Sequence, residues 1–404
     1  MNLRFAARGL ARQPGRTALG IAGIAATGAL LFNMLMLSRG LVVSMERLLE
    51  ANGFDIRVTE SGSLPPAGRR IPDAASLVAT IASLPEVEEV VPVRIEDADL
   101  EIGRRSMRVT LIGASVKGRR PWTLMSGQDL TADESGEQAA GSLTPRLLVN
   151  RATWEMLRVP VGEPVTVRGV CAVGSSAPPV VFRLAGIADF PFDQASARTI
   201  ATTLRDLERT CGDAGRGEAD VLLIASRAEH GADHAARAIR RVRSDVQTTT
   251  NDELVARFER IEFSYFRQIS VVLASITLFF GMLLITVLLS VSTNQRLGEI
   301  AALRALGFSH RRMASDVLWR SSLLVGTGGL LAIPLALALS SWLDSLLLRM
   351  PGIPATVSFF VLEARALAAY GLLLAVTTMV AAAYPIRIIV RLPIAGTLRN
   401  EVVG

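Results

Sequence analysis

Four stretches of this chain carry no Asp, Glu, Lys, Arg or His, and they limit its fold more than any motif does. Between Arg16 and Arg39 lie 22 such residues, between Arg267 and Arg296 lie 28, between Arg320 and Asp344 lie 23, and between Arg365 and Arg387 lie 21. A hydrocarbon core about 30 Å thick takes roughly 18–20 apolar residues of helix to cross. No water reaches the backbone there, so a spanning segment must satisfy its own hydrogen bonds, as a helix does. The four windows therefore predict transmembrane helices at 17–41, 267–293, 321–343 and 366–390. They also explain why half of the 404 residues are hydrophobic and only 20% are charged, with a mean hydropathy of +0.38.

The net charge of +6 would suit a nucleic-acid ligand if it formed one patch, but it is spread around the apolar windows. Arg4, Arg8, Arg12 and Arg16 precede the first window with no acid among them. Arg296, Arg304, Arg311, Arg312 and Arg320 lie between the second and third, and Arg387, Arg391 and Arg399 at or beyond the end of the fourth. Between the third and fourth, Asp344 and Glu363 balance Arg349 and Arg365. By the positive-inside rule both termini and 294–320 are cytoplasmic, while 42–266 and the short loop 344–365 lie outside. No nucleic-acid partner is expected. Lys117 is the only lysine, which reads as a habit of genome composition.

Residues 1–16 place Arg4, Arg8 and Arg12 on one helical face and Leu3, Ala6, Ala7 and Leu10 on the other. That pattern suits either an amphipathic helix against anionic headgroups or a plain topogenic flank. The first window is longer than a signal-peptide core and no small-x-small cleavage site follows, so an uncleaved anchor is expected. Its Gly20, Ala22, Gly23, Ala26 and Ala29 would let another helix approach, and Asn33 should hydrogen-bond across helices. Gly326, Gly328 and Gly329 give the third span a similar surface, and Pro334 should kink it.

The segment 42–266 reads as an α+β domain inserted between the first two spans. Strands are expected in DIRVTE, in VEEVVPVRIEDADLEI and RRSMRVTLIGAS around a tight turn, and in GEPVTVRG, VVFRLAGIADF and DVLLIAS. Helices are expected from Pro72–Asp73 to about Leu84, within LLVNRATWEMLRV, over 233–245, and from 252 into the second span. The stretches 136–141 and 211–217 read as mobile loops. Cys171 and Cys211 both fall in this outside segment, where an oxidising compartment allows a disulfide, but two isolated cysteines form no framework and leave the pairing open.

Catalytic chemistry is not evident. There is no G-x-x-x-x-G-K-[ST] phosphate loop, no G-x-S-x-G and no H-E-x-x-H. His230 and His234 could bridge a metal from one helical turn, yet no third ligand is near, so they read as a solvated face. Glu86, Glu88 and Glu89 read as an exposed charged edge. Ionisable residues inside spans mark ion and proton pathways; their absence disfavours a proton-coupled transporter or a charged pore. No metal and no cofactor are expected in this chain.

The connection NQRLGEIAALRALGFSHRRM, within 294–320, is a charged helical hairpin: Gly307 can end one helix in the left-handed conformation and Ser309 can cap the next. It resembles the cytoplasmic signature of the FtsX/MacB-type ABC transporter permeases, the type VII or mechanotransmission family, through Arg296, Glu299, Ile300, Arg304, Ala305 and Gly307. Gln295 stands where an acid is common and Ala301 where glycine is. LRFAARGLARQPGRTALGIAGIA resembles the family's N-terminal helix, and AAAYPIRIIVRLPIAGTLRNE its cytoplasmic tail, 391–404. One span, a large outside domain and three further spans is also the family's layout.

The resemblance implies a permease without its own nucleotide site, paired with a second permease copy as homodimer or heterodimer. A separate ABC ATPase subunit would bind ATP and Mg, and its motion would enter through Arg296, Glu299, Ile300, Arg304, Gly307, Arg311 and Arg312. The expected location is the bacterial plasma (inner) membrane, multi-pass, with a MacB-like periplasmic domain at 42–266. The expected role is export, or outer-leaflet extraction, of a lipid, lipoprotein, peptide or amphiphilic small molecule, with a membrane-fusion protein or carrier among the partners. The alternative is an FtsX-like mechanical regulator of a cell-envelope enzyme. The size of the outside domain favours transport.

Overall fold

A computed structural model of the chain describes residues 14–60, 69–103, 105–131, 144–171, 177–213, 217–261, 263–294, 310–348 and 357–390. The expected N-terminal helix up to residue 13, the loop at 136–141 and the tail 391–404 lie outside the described residues. The chain divides into two compact units, one of Met1–Val43, Glu262–Leu346 and Ser358–Gly404, the other of Ser44–Ile261 and Leu347–Val357.

In chain order the elements are α1 (Pro14–Glu50), β1 (Ile56–Thr59), α2 (Ala74–Ala82), β2 (Val87–Ile102), β3 (Arg105–Ala114), β4 (Thr123–Gly127), β5 (Arg146–Val149), α3 (Arg151–Leu157), β6 (Pro164–Val170), β7 (Val180–Asp189), β8 (Thr199–Thr203), α4 (Leu204–Cys211), β9 (Val221–Ser226), α5 (Ala232–Val242), β10 (Gln247–Thr250), α6 (Asn251–Ile261), α7 (Phe263–Asn294), α8 (His310–Leu347) and α9 (Ala364–Val390). Every strand expected from the sequence is present. Four more, β4, β5, β8 and β10, are not among those expected: RLLV of β5 lies in a stretch read only as holding a helix, and TIATT and QTTT are threonine-rich, which fits a pleated surface without marking a face.

Among the described residues, four helices are long and apolar enough to cross a membrane, at Thr17–Leu37, Arg267–Val291, Leu318–Leu347 and Ala364–Tyr384. α1 continues without a break to Glu50, well past the end of its apolar window. Pro334 lies inside the continuous helix α8, and Asp344, expected in a loop, is helical and accepts a hydrogen bond from the Phe359 backbone N–H at 3.0 Å.

The other unit is built on β2, whose 16 residues serve two sheets. Its first half, Val87–Val93, pairs with β9, extending an open sheet in the order β10–β1–β9–β2. Its second half pairs with β3 and with β6. The ladders β3–β8, β8–β5, β5–β7 and β7–β6 then return to β2, so six strands close a barrel. Inward residues such as Leu100, Leu111, Leu147, Phe182 and Leu184 fill it, and α4 adds Leu207 and Cys211. On the open sheet, Ile56, Val58, Leu222 and Ile224 face α2 and α5 through Leu77, Ile81, Ala235 and Ile239. Alternate residues on the same strands, Arg57 and Leu223, turn to the other face.

Three local expectations are corrected. Cys211 does not sit in a loop; it is the last residue of α4, 1% exposed, and Gly212 ends that helix at φ 72°. His230 precedes α5, which starts at Ala232, so it does not share a helical turn with His234; both imidazoles are exposed. Of the glutamates, Glu88 is exposed and pairs with Arg119, whereas Glu89 is half-buried and accepts from the Arg119 backbone N–H.

Candidate functional site

Arg296, Glu299, Ile300, Arg304 and Gly307 lie outside the described residues. Arg311 and Arg312 fall in the first turn of α8. The geometry that can be built is that of the spans and of the inserted domain.

Among the spans, close approach comes from glycine and specificity from single polar groups. A Cβ on Gly28 would stand 2.6 Å from the Tyr370 hydroxyl and 3.0 Å from the Ala332 Cβ; one on Gly328 would meet Ile24 at 2.7 Å. Tyr370 donates to the Gly329 carbonyl at 3.2 Å, and its ring lies 5.1 Å from that of Phe32. Asn33, fully buried, donates to the Ala336 carbonyl at 3.3 Å, the interhelical bond expected of it. Of the small residues in α1, Gly20 and Ala29 are buried, while Ala22 and Ala26 are exposed. Apolar residues of α7, including Val271, Val272, Phe279 and Phe280, are more than half exposed, as lipid-facing side chains would be.

The inserted domain holds a cavity of about 300 Å³ on the face of the open sheet opposite α2 and α5. Leu48 and Leu49 from the end of α1, Leu254 and Phe258 from α6, and Ile112 and Leu223 from the strands form its apolar walls. Arg57, projecting from the middle of β1, and Asp193 are the ionisable residues that line it. One Arg57 amino group donates to the Asn251 side-chain oxygen, and the guanidinium lies 5.8 Å from the centre of the Phe192 ring. The Asn251 amide donates in turn to the carbonyls of Leu49 and Phe54, which ties α6 to the end of α1. Burial pulls the Arg57 pKa down to about 10, against the opposing pull of Asp55. Burial also pushes the Asp193 carboxyl up, although Thr199 and Asn150 both donate to it.

A second buried charge group braces the barrel. Arg94, fully buried, donates to Glu96 at 2.7 Å and to Asp213 at 2.6 Å, while Arg70 reaches Glu96 at 2.5 Å and Asp220 at 3.4 Å. Nearby, Cys171 and Cys211 form a disulfide. Glu96 lies beside the two sulfurs, but the bond removes both thiolates as metal ligands.

The model described as FtsX-like permease C-terminal matches residues 271–394, and that of the MacB-like periplasmic core domain matches 17–242. The chain belongs to the FtsX/MacB-type permease family. Among solved structures, the periplasmic region of MacB from Actinobacillus actinomycetemcomitans is similar at 13% identity and a TM-score of 0.40, over 53% of this chain and 98% of that one. The extracellular domain of the noncanonic ABC-type transporter YknZ from Gram-positive bacteria gives 13% and 0.33, over 48% and 98%. A domain of a permease protein from Porphyromonas gingivalis gives 8% and 0.30, over 49% and 88%. No curated protein matches.

For an FtsX/MacB-type permease the layout is that expected: apolar helices with a MacB-like α+β domain between the first and second. The family is that of permease subunits of ABC transporters, which lack a nucleotide site of their own. The sequence did not single out Arg57. An arginine between Ile56 and Val58 has the ordinary look of a strand's solvent face, and only the return of α1 and α6 over that face buries it.

Proposed function

We propose that this permease couples ATP hydrolysis in a separate ABC ATPase subunit to movement of its periplasmic domain, driving export or outer-leaflet extraction of a lipid, lipoprotein, peptide or amphiphilic small molecule. The observation that carries the reading is the pair of family matches spanning most of the chain on helices whose apolar windows hold no Asp, Glu, Lys, Arg or His. Such spans can transmit force, whereas they offer an ion or proton no polar path. The permease works as a dimer, with a second copy or a related chain, in the bacterial inner membrane with both termini cytoplasmic. The Cys171–Cys211 disulfide supports placing 42–266 in an oxidising compartment. ATP and Mg bind in the partner ATPase, and a membrane-fusion protein or carrier receives the cargo.

The contact with the ATPase is made by Arg296, Glu299, Ile300, Arg304 and Gly307, with Arg311 and Arg312 beside them. Glu299 and Arg304 are five apart, too far round a helix to pair well with each other, which leaves both able to address a partner. Purified with its cognate ATPase in nanodiscs, the Glu299→Ala/Arg304→Ala variant should lose complex formation or permease-stimulated ATP turnover. Unchanged assembly together with unchanged turnover would overturn the assignment.

A further inference from the structure

The cavity under α1 and α6 has the size of a small ligand site and a wall chemistry that selects one class of ligand. At about 300 Å³ it stands at the lower end of the range for small-molecule pockets, roughly 300–1,000 Å³. If a methylene takes about the same room as a water, some 30 Å³, the space holds a single chain of about ten carbons and no second one.

Arg57 breaks this apolar lining. It is 9% exposed, yet only one of its amino groups is engaged, with Asn251. Among the described residues its Nε and second amino group have no hydrogen-bond partner. Arginine stays protonated at neutral pH even with its pKa drawn down to about 10, so a cation with spare donors borders an apolar space. Asp193, the other ionisable lining residue, directs its two oxygens elsewhere, accepting from Thr199 at 2.7 Å and from Asn150 at 2.6 Å. Asp55 is likewise occupied by the Ser226 backbone N–H and hydroxyl. The spare Arg57 donors are not sealed in protein but open on the cavity, and an anionic group arriving on an apolar chain would supply both partners and counter-charge.

The geometry points to a binding site for a single-chain amphiphile with an anionic head, the head on the free edge of Arg57 and the chain against Leu48, Leu49, Leu223, Leu254 and Phe258. This deepens the permease reading by naming a ligand class within the periplasmic domain. It is tested without ATP or ATPase, so it can fail while the coupling reading stands.

The full chain in nanodiscs is irradiated with a dodecanoic acid carrying a tail diazirine, and labelled peptides are mapped by mass spectrometry. Label is expected on the peptide holding Leu254 and Phe258. Dodecanoate and dodecyl phosphate should compete at least about ten-fold better than dodecanol, the smaller end of what a hydrogen bond to a charged group provides. Dodecyltrimethylammonium should not compete. The ratio of the two anionic competitors tells a carboxylate from a phosphate head. Leu254→Trp, which fills the chain site and leaves Arg57 in place, should abolish labelling; Arg57→Gln should erase the preference for anions over dodecanol. No label on that peptide, equal competition by the cation, or full labelling of Leu254→Trp would overturn the proposal, as would tighter competition by two-chain phosphatidic acid.

Discussion

Removing the disulfide tests both the fold of the inserted domain and the compartment it occupies. Cys171 follows β6 and Cys211 ends α4, 40 residues apart in sequence. Cross-linking a loop of that length removes disorder from the unfolded chain worth about 4 kcal/mol at 25 °C in the chain-entropy account. The unit that contains it runs mainly over Ser44–Ile261. At about 2 cal/mol/K of unfolding entropy per residue over roughly 220 residues, 4 kcal/mol corresponds to about 8 °C in Tm. The double variant Cys171→Ala/Cys211→Ala is the right perturbation, because a single substitution would leave a buried thiol and a serine would bury an unpaired hydroxyl. Calorimetry of the full chain in nanodiscs should show the domain's transition about 8 °C lower, at a temperature that added reductant no longer changes. Wild type should be lowered by reductant toward the variant and should show no free thiol until reduced. Transitions within about 2 °C of each other, or equal sensitivity of both proteins to reductant, would refute the reasoning.

Two further outcomes are expected. In Gly28→Val the new side chain meets Tyr370 and Ala332, an overpacking that costs about 1–3 kcal/mol; Gly326→Val, at a glycine whose Cβ would meet nothing within 4 Å, is the control, and equal thermal inactivation of the two variants would refute the close approach. Burial raises the Asp206 carboxyl above its ordinary value, outweighing the Thr203 hydroxyl and the charges of Arg209 and Arg205. A raised folded pKa means a contribution to stability that is complete below the unfolded value, about 3.9, and is lost as pH rises through the folded value. Asp206→Asn should therefore gain less Tm than wild type, or lose more, between about pH 7 and pH 4, and identical pH profiles would count against the assignment.

The elements that could be read from sequence are those with a period or a strong composition. The spans announce themselves because lipid forbids charge over a fixed length, and Asn33, the one strongly polar side chain in its window, was bound to seek a partner inside protein. Strands with alternating apolar residues, such as DIRVTE and VVFRLAGIADF, were equally legible. The threonine-rich β8 and β10 were not, because their burial comes from neighbours that arrive from distant parts of the chain. Cys211 looked like a loop residue beside Gly212, yet Thr203 caps a helix that ends on that cysteine; the cap is visible only once Asp206 is seen to donate its backbone N–H to the Thr203 hydroxyl at 3.2 Å.

Sequence by itself settled the number and order of the apolar helices, the insertion of an α+β domain after the first, and the family. Each of these depends on local length, charge or motif. Tertiary structure alone decided that β2 serves an open sheet with one half and a closed barrel with the other, since strand pairing joins residues more than a hundred positions apart. It also decided that Cys171 meets Cys211, and that Arg57 borders a largely apolar cavity beneath α1 and α6. Whether a strand face is wet depends on what crosses over it, and α1 and α6 come from opposite ends of the domain.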